Sequence, residues 1–208
     1  MPIASAGTII IFHMDAFWHA FIPLFVALDG VGLLPMFWTL THRFSPPERR
    51  RAVAHAVITA FLVALSFLFV SRFVFALMGL ELADLMVAGG IVLCVLSIRE
   101  LLLPEPPPEG RFDSPGIVPL GVPLLTGPAV LATVVLVRDR HGWSLTLAAL
   151  VANMALVWLI LWCAEWLMRR LGQEGARVIS KVAHLVLTAF GVMLVRQGIM
   201  AFRSAGGG

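Results

Sequence analysis

Few side chains in this chain can do chemistry, because 60% of its 208 residues are apolar and only 13% are charged. The polar residues inside apolar runs are therefore the first to weigh. Asp29 opens Asp29-Gly30-Val31-Gly32, with Pro35 just beyond. Thr126 opens Thr126-Gly127-Pro128-Ala129, and Asn153 stands alone in a later run. The chain holds no phosphate-binding loop, no Gly-x-Ser-x-Gly and no paired carboxylates in one apolar run, so no catalytic residue is assigned and an enzyme is not expected. His19, His55 and His184 lie far apart, without metal-ligand spacing in one helix, so neither metal nor cofactor is expected.

What the two Gly/Pro-interrupted runs can do follows from the solvent they sit in. Lipid offers no hydrogen bonds, so a helix broken in mid-bilayer persists only if protein, water or a ligand satisfies the freed N–H and C=O groups. Gly30, Gly32 and Gly127 let the chain turn and a ligand approach the backbone. Pro35 and Pro128 remove donors. A half-helix that restarts offers N–H groups and a partial positive charge, and one that ends offers carbonyls. Together they suit a small zwitterion, its carboxylate at the N–H groups and its ammonium at carbonyls or at Asp29. Asp29 can also carry a proton or act as the N-cap of the restarting helix. Thr126 can cap in the same way or touch the ligand. Asn153 reads as an interhelical hydrogen bond or as a further ligand contact.

The elements that must position these residues are membrane spans. Mean hydropathy is +0.95, and one soluble core cannot hide so much apolar side chain. The pattern predicts an all-α membrane protein of six transmembrane helices, over about 16–41, 52–75, 82–102, 117–137, 144–168 and 178–202, the first and fourth discontinuous. A Pro-rich linker, residues 104–116, separates a first three-helix repeat (1–103) from a second (117–208). Cys94 and Cys163 lie in apolar runs and read as small hydrophobes, not a disulfide. No Lys or Arg precedes the first apolar run, so a cleaved signal peptide is not expected. Ten of the 15 Lys and Arg residues fall on one side of the predicted spans and five on the other. The basic excess thus follows the positive-inside bias, with N-terminus and C-terminus both outside, and nucleic acid is not an expected partner.

The halves echo one another. Ile22-Pro23-Leu24 and Val118-Pro119-Leu120 are 96 residues apart, Asp29-Gly30 and Thr126-Gly127 are 97, and Gly90-Ile91-Val92-Leu93 and Gly191-Val192-Met193-Leu194 are 101. Units with an odd number of spans insert in opposite orientations, which gives an inverted repeat. A pair of interrupted spans at matching positions points to a transport site.

The residues carrying these features also resemble a known family. Val26-Ala27-Leu28-Asp29-Gly30-Val31-Gly32-Leu33-Leu34-Pro35, Ala88-Gly89-Gly90-Ile91, Val118 to Pro128 and Ile179-Ser180-Lys181-Val182, in that order, resemble the MarC family of six-span inner-membrane proteins. The resemblance covers about 17–199. It implies inverted three-span repeats and transport of glycine-, alanine- or serine-sized amino acids across the bacterial inner membrane. Where the family usually has Asn-Pro, this chain has Asp29-Gly30, so a carboxylate replaces an amide. Where it usually has Gly-Pro-Gly, this chain has Gly127-Pro128-Ala129.

The expected function is a secondary transporter of small neutral amino acids. Its substrate is held by Asp29, Gly30, Val31, Gly32, Thr126, Gly127, Pro128, Ala129 and Asn153, with H⁺ or Na⁺ as possible coupling ion. The alternatives are an exporter of another small solute and a non-transporting membrane protein such as an assembly partner. The expected partners are the lipid bilayer and the small-molecule substrate.

Overall fold

A computed structural model describes residues 6–41, 44–102 and 125–205. The described residues form six helical elements: α1 Ala6–Leu28, α2 Leu34–Thr41, α3 Pro46–Met78, α4 Leu82–Leu102, α5 Pro128–Trp162 and α6 Ala164–Ala205. The linker and the start of the expected fourth span, including Pro119 and Pro123, lie outside the described residues.

Local chemistry sets the boundaries. Before α3, the Glu48 carboxylate accepts hydrogen bonds from Ser45 N–H (2.8 Å) and Ser45 Oγ (2.6 Å). Proline occupies the first helical position, where its missing donor costs nothing. Gly79 ends α3 in the left-handed conformation (φ 67°), which glycine adopts without a Cβ penalty. Gly142 (φ 80°, ψ 169°) divides α5, and Gly172 (φ 66°, ψ 177°) divides α6. Only glycine enters that region readily. The arm of α5 before Gly142 is the second part of the expected fourth span, and the arm after it is the expected fifth. That fifth helix stops at Trp162, earlier than Met168, and Cys163 turns the chain into α6.

Among the described residues, four helices are long and apolar enough to cross a membrane: Pro46–Met78, Leu82–Leu102, Ala129–Trp162 and Glu174–Ser204. Met14–Leu28 is a shorter apolar helix. Their outward faces carry large apolar side chains such as Phe73, Leu77, Leu185 and Met200, each more than 60% exposed. A surface of this kind is matched to lipid rather than water.

Small residues bring α4 and α6 together. A Cβ on Gly90 would lie 2.6 Å from Gly191 O and 2.8 Å from Val195 Cγ2. A Cβ on Gly191 would lie 2.8 Å from both Gly90 O and Cys94 Sγ. The contact is reciprocal: each glycine meets the other and the residue four positions beyond it. Glycines allow such backbone approach where dispersion, not hydrophobicity, joins the helices.

Candidate functional site

The first break is built around one carboxylate. Helix α1 ends at Leu28, and Asp29 takes φ +44°. That conformation costs an L-residue about 1 kcal/mol, least for Asn and Asp. Asp29 Oδ1 accepts a hydrogen bond from Gly32 N–H at 3.1 Å, and Asp29 O accepts one from Leu33 N–H at 3.1 Å. The side chain therefore caps the turn that restarts the chain into α2. Gly32 is matched to it: a Cβ there would lie 2.2 Å from Asp29 Oδ2. Gly30 is buried, and its Cβ would lie 3.0 Å from Val157 Cγ2 on α5. Val31 lies half-buried between the two glycines.

Helix α6 completes the break. His184 Nε2 lies 3.7 Å from Asp29 Oδ2, and both side chains are only 13% exposed. His184 Nδ1 lies 2.7 Å from Ser180 O. A carbonyl can only accept, so Nδ1 carries hydrogen and Nε2 faces the carboxylate. Two ionisable side chains, Asp29 and His184, thus face one another within the helix bundle. Ser180 Oγ also donates to Gly32 O at 3.4 Å, using a carbonyl of the break itself.

The segment at the second expected break, described from Leu125 onward, carries no ionisable side chain. Thr126 is buried, and its Oγ1 donates to Ala60 O on α3 at 3.0 Å. Of the two roles expected for Thr126, capping the next helix is therefore not the one it takes. The N-cap is Gly127, extended at φ −78°, ψ 175°, without a side-chain hydrogen bond. Pro128 follows at the first helical position, so the first backbone N–H groups of α5 belong to Ala129 and Val130. Ala129 is buried with Met86 and Leu187, and Val26 of α1 packs on the same cluster. Leu28 and Leu34 flank the first break, Leu125 and Val130 the second, and all four share another buried cluster with Val157 and Ala60. The two breaks therefore border common packing.

Asn153 is fully buried. Its Nδ2 donates to Phe21 O at 3.1 Å and to Ala149 O at 2.9 Å, so the interhelical bond to α1 is present. Two carbonyl acceptors fix which end of the amide is NH₂. Oδ1 is then left buried without a hydrogen-bond partner among the described residues. Phe21 precedes Asp29 by about two helical turns, so Asn153 borders the α1–α5 seam rather than the carboxylate.

Sequence reasoning missed His184 as a partner of Asp29. The available signal was a His four residues after Ser180 in an otherwise apolar span, where ionisable residues are rare and need partners. Ala60 and Val157 carried no signal, since one contributes a carbonyl and the other a methyl group.

Membrane-length helices around a buried polar break define a multi-pass integral membrane protein. Residues 14–202 match the family described as MarC family integral membrane protein. The chain belongs to that family. It is 29% identical to the UPF0056 inner membrane protein YhgN of Escherichia coli K12, over 89% of this chain and 97% of that one. It is 27% identical to a UPF0056 membrane protein of Buchnera aphidicola, covering 86% of this chain and 93% of the relative. A UPF0056 membrane protein of Pyrococcus abyssi shows 24% identity over 89% and 95%. No solved structure matches.

Proposed function

We propose that this protein is a secondary transporter of small neutral amino acids, with the substrate held between the two helix breaks and a proton as coupling ion. One observation carries the reading: the first break holds an ionisable pair, Asp29 and His184, inside the bundle. A charge there is costly unless it is used or compensated. The substrate ammonium takes the Asp29 side and its carboxylate the N–H groups of Ala129 and Val130. Small side chains suit this arrangement, since a Cβ on Gly32 would meet the Asp29 carboxylate and one on Gly30 would already press on Val157.

Reciprocal packing supports an inverted repeat as the frame. Gly30 of the first break meets Val157, and Thr126 of the second meets Ala60. Ala60 and Val157 are 97 residues apart, the same offset as Asp29 and Thr126. The mutual contact of Gly90 and Gly191 is what a two-fold relation produces near its axis. The Lys/Arg bias supports an orientation with both ends outside.

The test is a thermal-shift screen of purified protein against glycine, alanine, serine and leucine at two pH values, with and without sodium. The reading expects stabilisation by the small amino acids, weaker stabilisation by leucine, and dependence on pH rather than sodium. Equal shifts from all four, or none from any, would contradict it.

A further inference from the structure

A second polar assembly lies where α3 begins, α5 ends and α6 starts. A cavity of about 110 Å³ is lined there by Arg49, Arg50, Val53, Leu161, Trp162 and Glu165. Its charges are unbalanced. These segments hold five arginines, Arg49, Arg50, Arg51, Arg169 and Arg170, against two carboxylates, Glu48 and Glu165. Glu48 is engaged by Ser45. Glu165 holds both Arg49 and Arg169, and Arg49 is further held by Thr41 O and the Trp38 ring. Arg50 instead lies 4.6 Å over the ring of Trp162, and Arg170 lies 5.5 Å over that of Trp166.

The depth of this assembly is set by its sequence. Arg49, Arg50 and Arg51 stand immediately before the apolar run of α3, and Trp162 and Trp166 flank the end of α5. Arginine and tryptophan together mark the headgroup level of a bilayer. Outward-facing Trp158, Leu159 and Trp162 are 47–58% exposed and lead from the cavity along the lipid-facing side of α5. A guanidinium offers a planar fork matched to phosphate oxygens. Arg50 lies at the edge of hydrocarbon on an indole face, so a counter-anion arriving with its own apolar tail is the occupant that satisfies both sides.

We infer that this cavity binds the headgroup phosphate of an anionic glycerophospholipid, with Arg50 as the principal contact and Trp162 as its platform. The site is separate from the two helix breaks and stands whether or not the chain transports amino acids. Basic pockets between membrane helices are suited to anionic headgroups.

The experiment titrates the purified full-length protein in mild detergent with phosphatidylglycerol, with phosphatidylcholine and with inorganic phosphate, reading bound lipid by native mass spectrometry and stability by thermal shift. The expected result is preferential retention of phosphatidylglycerol, and no comparable stabilisation by phosphate alone. Arg50→Gln weakens phosphatidylglycerol binding about fivefold, the scale of one arginine near a lipid surface. Arg203→Gln, in the last turn of α6, leaves it unchanged. If Arg50→Gln does not fold, Trp162→Leu makes the same comparison. Equal retention of the two lipids, equal losses in the Arg50 and Arg203 variants, or stabilisation by phosphate alone to the extent given by the lipid would overturn the proposal.

Discussion

Asp29-Gly30 and Thr126-Gly127 stand 97 positions apart in the chain and are satisfied by different means. At the first, an ionisable side chain caps the turn, and α6 adds a histidine and a serine hydroxyl. At the second, a neutral hydroxyl is spent on a carbonyl of α3, and the helix starts from an uncapped Gly127. The first thus brings together two ionisable side chains, Asp29 and His184, while the second presents a neutral hydroxyl and backbone groups. The same kind of Gly-containing segment thus carries an ionisable cap in one place and a neutral hydroxyl in the other.

The largest effect is expected where the charge is removed and the cap is kept. Asp29→Asn retains an oxygen for Gly32 N–H and tolerates φ +44°. The variant should fold with nearly unchanged thermal stability yet lose most proton-driven flux, measured in reconstituted vesicles. Retained flux would remove the distinction between the two breaks.

Gly32→Ala comes next. Its Cβ would fall on the Asp29 carboxylate, so the carboxylate must leave its cap. A destabilisation of about 1–3 kcal/mol is expected, as for other overpacked sites, together with weakened substrate binding, both read by thermal shift with and without glycine. A third change sharpens the role of α6. His184→Gln keeps polarity but cannot hold a proton, so the pH dependence of flux should flatten while binding at one fixed pH changes less. At the second break, Thr126→Val should cost only about 1 kcal/mol, the net worth of one hydrogen bond, with Thr126→Ser restoring it. An effect on the pH profile at Thr126 as large as that at His184 would erase the comparison.

Much of this frame was legible in the sequence because lipid imposes simple rules. Long apolar runs had to be helices, and α4 falls on the expected residues 82–102. The interruption at Asp29-Gly30 could be read from residue types, and so could the capping role of Asp29. The expected start of the sixth span at Val178 falls a turn inside the apolar helix that opens at Glu174, because Gly172 rather than the charge pattern sets the restart. Thr126 illustrates what was not legible. A threonine before Gly-Pro reads as a cap, but here the backbone of α3 passes close enough to claim its hydroxyl. The pairing of His184 with Asp29 spans 155 positions and depends on how α6 packs on the break, which no local pattern encodes. The cavity at Arg50 and Trp162 was equally hidden, since three helix ends must converge before its charges can be weighed.

In the proposed function the first break couples a proton to a small amino acid through Asp29. The most direct test is uptake of labelled glycine into proteoliposomes under an imposed pH gradient, with wild-type protein and Asp29→Asn side by side. Saturable uptake that the gradient accelerates is expected in the wild type. In the variant, little uptake and no response to the gradient are expected, although the protein is folded. Equal, gradient-driven uptake by both proteins would contradict this coupling.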